Sequence, residues 1–185
     1  KFAKYAEELG ADGLMLLLTP EPFRQALTDE AKFRYHKAVA DETRMGIVLQ
    51  GWPGISMPLI ERITNEIDQV VAMKEDGGDR YYYDVVRRFS ERLAIFCGGQ
   101  KWRFLYAYPY GSVGYLSVYG SFQPKVATDF YNHLVAGDLK KAMEIERRYD
   151  QPLFDFGLNS PKGFQATWMA ALELFGVAQR WMRPP

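Results

Sequence analysis

Short apolar runs alternate along the chain with longer stretches in which apolar residues recur at helical spacing. The short runs have the length of strands and are apolar at nearly every position; they span 12–19, 46–50, 69–74, 93–97 and 113–119. Near-continuous runs of this kind are typical of parallel strands that are covered on both faces. The alternation therefore predicts βα units around a parallel sheet.

Helical periodicity fills the intervals between these runs. It predicts helices over 28–42, 58–67, 80–92 and 101–110, and the first of them opens on Thr28 and Asp29, which are typical capping residues. Each interval is long enough for a right-handed crossover helix. After the last run the pattern becomes helical only, with two helices in 124–156 that break at 136–138 and a further helix over 163–182.

These elements predict one domain over residues 1–185. We expect βα units in 1–124 and a C-terminal helical segment in 125–185. Because the chain has 185 residues, of which 48% are hydrophobic, it can bury one sizeable core.

Charge and cysteine content narrow the classes of partner. Lysine plus arginine equals aspartate plus glutamate at 23 each, so the balance favours neither nucleic acid nor an anionic membrane surface. The longest apolar run, "GLMLLL", is much shorter than the roughly 20 residues of a membrane span.

Cys97 is the one cysteine, which favours a reducing, cytoplasmic compartment. His36 and His133 have no partners at metal-ligand spacing, so we expect no metal.

The stretch "VVAMKEDGGD" places Lys74 at the end of a predicted strand. Two interpretations of this lysine are open from the sequence alone. In the first, it extends its ammonium group to water, because desolvating that group is costly. In the second, it is held as a partly free amine, which can attack a ketone to form an imine and so create an electron sink.

Four segments in the same order and spacing resemble the dihydrodipicolinate synthase and N-acetylneuraminate lyase family of Schiff-base aldolases. They are "AEELGADGLMLLLTP", "VVAMKEDGGD", "FCGG" followed by "YGSVGYLSVYGSFQP", and "ALELFGVAQRWMRPP". The resemblance implies an α/β fold of the (β/α)8 TIM-barrel type, in which this chain supplies about strands 4–8. Since a complete barrel of this class has about 250 residues, we expect a longer natural gene product.

The resemblance also implies site residues. Lys74 matches the Schiff-base lysine, at the carboxyl end of a strand where barrel active sites are built. Glu75 and Asp76 follow it, and they are either acceptors for substrate hydroxyls or, as is usual for acids in a first helical turn, capping and dipole partners of the helix. Gly99 and the backbone around Leu116 match positions that line the pocket. No cofactor beyond the covalent imine is implied.

The chain departs from the family pattern where proton transfer is expected. The stretch "LQGWPG" has Gln50 in place of the relay tyrosine, and glutamine has no useful pKa for acid–base work. The stretch "TPEPF" has Glu21 and Pro22 where a second tyrosine is common, and "PGISMP" lacks the arginine of synthase members. These departures argue against dihydrodipicolinate synthase activity. We expect Gln50 to orient a substrate hydroxyl and Glu21 to be the leading acid–base candidate.

Two functions follow from this reading. The first is a Schiff-base-forming lyase, an aldolase or dehydratase, that acts on a 2-keto acid such as pyruvate or a keto-deoxy sugar acid. The alternative is an aldolase-like paralogue without turnover that serves as a binding or regulatory subunit. In both cases the resemblance implies a homo-oligomer, a tetramer or dimer, with neither nucleic acid nor membrane as a partner.

Overall fold

The structure, a computed structural model, describes residues 1–18, 27–51 and 55–181. Its strands are β1 (Gly13–Leu16), β2 (Gly46–Gln50), β3 (Val70–Glu75), β4 (Ala94–Cys97) and β5 (Ser112–Tyr115). They form one sheet in the order of the sequence, and the pairings from β1 to β4 are parallel. The predicted α/β fold with a parallel sheet is therefore confirmed.

A first helix precedes β1, and helices also occupy the predicted intervals between the strands. They are α1 (Phe2–Glu8), α2 (Asp29–Ala40), α3 (Met57–Glu66), α4 (Asp79–Phe89) and α5 (Lys101–Ala107). Thr28 caps α2 as predicted, because its side-chain oxygen accepts a hydrogen bond from the Ala31 amide at 3.2 Å. Ser56 caps α3 in the same way through the Leu59 amide.

The chain after β5 is helical, as predicted. It forms α6 (Pro124–Val135), α7 (Leu139–Ile145), α8 (Gln151–Asn159) and α9 (Gly163–Leu174). The break at 136–138 is confirmed, and Gly137 there has a φ of 79°, which favours glycine. However, a π-helical turn over Glu146–Asp150 joins α7 to α8, and α9 is shorter than predicted. None of the helices in the described ranges is long and apolar enough to cross a membrane.

The described residues fall into two compact units. The first comprises 1–98 and 106–114, and the second comprises 99–105 and 115–185. In the first unit, strand residues such as Ile47, Leu49, Met73 and Ile95 are fully buried together with apolar residues of α3 and α4. In the second unit the buried core is built around Phe104, Phe130 and Ala142. The single-domain assignment stays a prediction.

Other apolar positions of the strands are exposed. Met15 is 45% exposed, Val71 50% and Val113 44%. Val71 lies where the register shifts, because Ile47 pairs with Val70 while Val48 pairs with Ala72, so Val71 has no register partner on β2. Within the described residues these positions are therefore not covered, and burial of the strands on both faces stays a prediction for the complete barrel.

Candidate active site

Sheet register brings Gln50 and Lys74 side by side. The two residues are register partners at the carboxyl ends of β2 and β3. Beyond the strand ends the Gly51 amide donates to the Lys74 carbonyl at 2.7 Å, and the Gly98 amide donates to the Glu75 carbonyl at 2.8 Å. The prediction that Lys74 ends its strand is off by one residue, because Glu75 still pairs with β4.

A carboxylate joins these two side chains into one cluster. Oδ2 of Asp76 accepts hydrogen bonds from both Nζ of Lys74 and Nε2 of Gln50. The Lys74 side chain is 18% exposed and that of Asp76 is 25% exposed, so the pair is largely withdrawn from water. Lys74 is therefore not a fully solvated cation. We call Lys74, Asp76 and Gln50 the amine cluster.

The amide of Gln50 leaves one hydrogen-bonding atom unused. Gln50 is 8% exposed, and its Oε1 is buried with no hydrogen-bond partner among the described residues. A buried acceptor without a donor costs about 1–3 kcal/mol. The amine cluster therefore offers an acceptor that a hydroxyl group could satisfy.

Gly98 makes room for the Asp76 carboxylate. A Cβ atom on Gly98 would coincide with Oδ1 of Asp76 and would lie 2.7 Å from the Glu75 carbonyl oxygen. No side chain can be added at Gly98 unless that carboxylate moves. The absence of a side chain at Gly98, after β4, thus leaves the space that the Asp76 carboxylate at the end of the neighbouring β3 occupies.

Glu75 and Tyr81 lie beside this cluster but form hydrogen bonds with other groups. Glu75 is fully buried, and its Oε1 accepts a hydrogen bond from the Gly77 amide. The expectation that Glu75 faces a substrate hydroxyl is therefore wrong. The Tyr81 hydroxyl donates to the Ile55 carbonyl at 2.8 Å, and burial, helped by the charge of Glu75, raises the Tyr81 pKa. A phenol held neutral in this way is a poor replacement for a relay tyrosine.

Gly99 and Leu116 lie against each other in the second unit. Gly99 has a φ of 143°, in the range that favours glycine, and a Cβ built there would lie 3.5 Å from the Leu116 carbonyl oxygen. The Leu116 side chain is 42% exposed. Glu21 lies outside the described residues. No group of three or more His, Cys, Asp or Glu side chains in the described ranges is placed to hold a metal ion.

Lys101 is a fully buried lysine that the sequence does not reveal as a candidate. Nζ of Lys101 lies 2.6 Å from Oδ1 of Asp150, and the Lys101 amide donates to Oδ2 of the same carboxylate at 2.7 Å. The two side chains are 0% and 2% exposed. Burial lowers the pKa of Lys101, against the opposing effect of Asp150. No local pattern signals this pair, because its members are 49 residues apart in the chain.

Cys97 and Tyr119 are packing residues. Cys97 is fully buried. Tyr119 is 6% exposed and its hydroxyl donates to the Tyr149 carbonyl at 2.7 Å. Burial and the nearby charge of Asp150 raise the pKa of Tyr119 to about 12, so its phenol stays protonated near neutral pH.

Comparison with known proteins decides the family. The sequence model of the dihydrodipicolinate synthetase family matches residues 1–185. The chain belongs to this family. The resemblance of the four sequence segments is thereby confirmed, and the parallel α/β architecture agrees with the barrel structures of the family.

Individual relatives cover different reactions. The 4-hydroxy-tetrahydrodipicolinate synthase of Thermotoga neapolitana is 27% identical, and the match covers 100% of this chain and 64% of that protein. A protein of Rhizobium rhizogenes described as a probable 5-dehydro-4-deoxyglucarate dehydratase is 28% identical, with 100% and 62% covered. The chain therefore spans less than two thirds of the length of these relatives. Because one of them is named as a synthase, the expectation that excludes synthase activity is unsupported.

A solved structure gives the same fold. The crystal structure of YagE, a prophage protein of the dihydrodipicolinic acid synthase family from E. coli K12 in complex with pyruvate, matches with a TM-score of 0.82. The match covers 99% of this chain and 63% of that one, at 17% identity. At this identity the likeness shows the fold alone.

Proposed function

We propose that this chain carries the imine-forming lysine of a lyase, either an aldolase or a dehydratase, that acts on a 2-keto acid. The observation that carries the proposal is the position of Lys74, at the carboxyl end of a parallel strand and 18% exposed against a carboxylate, in a chain of this family. The Lys74 amine would attack the keto carbon, and the resulting imine would draw electrons from the neighbouring carbon. No further cofactor is needed for this step.

The substrate class is the finer part of the proposal. Oε1 of Gln50, which has no partner among the described residues, accepts a hydrogen bond from a substrate hydroxyl, which favours a keto-deoxy sugar acid over unsubstituted pyruvate. The name of the Rhizobium relative, a dehydratase of a deoxy sugar acid, supports the same class. The pocket-lining roles of Gly99 and Leu116 stay predictions from the family resemblance.

The five strands correspond, in this proposal, to about the fourth to eighth strands of the family barrel. The half-exposed Met15, Val71 and Val113 support this assignment, because such positions are covered when a barrel closes. We also expect the full-length protein to form a homo-oligomer and to be located in the cytoplasm.

Imine trapping tests the proposed function. The full-length natural protein is incubated with pyruvate and with a panel of hydroxylated 2-keto acids, reduced with borohydride and mapped by peptide mass. We expect a reduced adduct on Lys74, and none on the fully buried Lys101. Lys74→Arg keeps the positive charge and is the matched control, which should give no adduct. If no keto acid of the panel leaves an adduct on Lys74, the proposed function is wrong.

One observation favours a second candidate, a binding or regulatory subunit without turnover. The relay position is occupied by Gln50, which cannot transfer protons and is bonded to Asp76. In that case calorimetry would detect reversible binding of a keto acid to both the wild type and Lys74→Arg, while borohydride would trap nothing.

A further inference from the structure

We propose that Asp76 carries the protons for imine formation at Lys74, in the place of the tyrosine that the chain lacks. This inference rests on the proposed function and adds the acid–base group to it. The contact that carries it is the double role of Oδ2 of Asp76, which accepts from both the Lys74 amine and the Gln50 amide. Asp76 is therefore a catalytic residue, since it touches the reacting nitrogen.

The position of the carboxylate is built by its neighbours. Gln50 donates Nε2 to Oδ2 of Asp76, which holds the carboxylate against the amine. Gly98 leaves free the space that Oδ1 of Asp76 fills. Because the Asp76 side chain is 25% exposed, it keeps limited access to the solution. Gln50 and Gly98 are positioning residues: they act through Asp76.

The proton transfers balance with Asp76 alone. The carboxylate first takes a proton from the Lys74 ammonium, and the freed nitrogen pair forms a bond to the keto carbon while the C=O π pair moves to oxygen. Asp76 gives its proton to that oxygen, which yields a neutral hydroxyl on the adduct.

The second half of the step repeats the cycle. Asp76 takes a proton from the adduct nitrogen and gives it to the hydroxyl, which leaves as water as the nitrogen pair forms the C=N bond. The net change is ammonium plus ketone to protonated imine plus water, and Asp76 ends as the carboxylate that it was at the start. No oxidant or other co-reactant is required.

The other described groups near the amine cannot take this role. Gln50 has no proton to exchange in the useful range. Glu75 is fully buried and accepts from the Gly77 amide, and the Tyr81 phenol donates to the Ile55 carbonyl. Glu21, which the sequence analysis ranked first, lies outside the described residues. Replacing Glu21 by glutamine is therefore part of the test.

The test measures the rate at which pyruvate forms a borohydride-trappable adduct on Lys74 in the full-length natural protein. We expect Asp76→Asn, which keeps the size of the side chain, to slow this rate by about 100-fold or more, the usual range for a lost acid–base group. Added formate, a small carboxylate, should restore part of the rate. Gly98→Ala should also slow it, because the added methyl group displaces the Asp76 carboxylate.

Matched variants separate this role from an effect on folding. Asp79→Asn changes an exposed acid in the first turn of α4 and should label at the wild-type rate. Far-UV circular dichroism of each variant checks the fold, and the formate response reports on the missing carboxylate rather than on packing.

Specific results would overturn the proposal. If Asp76 is only an ion-pair partner of Lys74, then Asp76→Asn will label as fast as the wild type or faster, because the amine is no longer held in the pair. A slow Asp76→Asn variant that formate does not accelerate would assign Asp76 a structural role, and a slow Glu21→Gln variant would transfer the proton role to Glu21. If the wild type itself gives no adduct on Lys74, the proposed function fails, which is a different outcome from these.

Discussion

The buried pair of Lys101 and Asp150 gives a stability prediction that can be worked out from the structure. Lys101→Met removes the positive charge and keeps most of the side-chain volume. The Asp150 carboxylate, 2% exposed, then loses the ammonium group with which it pairs. It also lies close to Glu146, which is 7% exposed and whose pKa is already raised by burial and by the charge of Asp150.

The expected magnitude follows from the burial of both charges. Breaking one side of a buried ion pair costs about 3–5 kcal/mol, since it leaves an uncompensated charge. Asp150→Leu should cost at least as much, because the carboxylate also accepts the Lys101 amide at the start of α5, a capping bond worth about 1 kcal/mol. The double variant removes both charges and leaves chiefly the amide unpaired, at about 1–3 kcal/mol. It should therefore be more stable than either single variant.

Urea unfolding followed by far-UV circular dichroism measures these differences in the full-length natural protein. The control is Lys125→Met, which breaks an exposed pair with Asp129 on α6; Lys125 is 82% exposed, so we expect a loss below about 1 kcal/mol. If Lys101→Met lowers the free energy of unfolding by no more than Lys125→Met does, the cost assigned to the uncompensated Asp150 charge is wrong. The same conclusion follows if the loss of unfolding free energy in the double variant equals the sum of the losses in the two single variants.

Two further predictions concern buried side chains of the first unit. His36 is fully buried, and burial lowers its pKa, so at acidic pH the unfolded chain binds a proton that the folded state does not. The free energy of unfolding should therefore fall by up to about 1.4 kcal/mol per pH unit as the pH drops below about 6.5. If His36→Gln kept this slope in the same pH series, His36 would not be its cause. The Tyr82 hydroxyl lies 2.6 Å from Oγ of Ser112, which itself donates to the Ile95 carbonyl. Tyr82→Phe should therefore lower the free energy of unfolding in urea by about 0.5–1.5 kcal/mol. The control Tyr5→Phe, at an exposed tyrosine, should not change it measurably.

Local patterns predicted most of the elements. The strand over 46–50 was predicted to the residue, and the cap at Thr28 and the break near Gly137 were also found. These features depend on neighbours in the chain: a run of apolar residues, an oxygen within reach of the next amides, a glycine where φ is positive. Element ends were less accurate, because pairing with a neighbouring strand added Glu75 to β3.

The sequence by itself determined the family and the lysine of the candidate site. Order and spacing of four segments placed Lys74 at a strand end. Tertiary structure decided what surrounds that lysine. The contact of Asp76 with both Lys74 and Gln50 depends on the register of β2 against β3, and its space depends on the missing side chain of Gly98 after β4.

The same reason explains why the Lys101–Asp150 pair was missed. Side-chain periodicity reports which residues of one segment share a face, over a few positions. It carries no information about which side chain from 49 residues away will meet them. Such contacts are fixed only when helices and strands pack, because packing selects the one arrangement in which buried charges find partners.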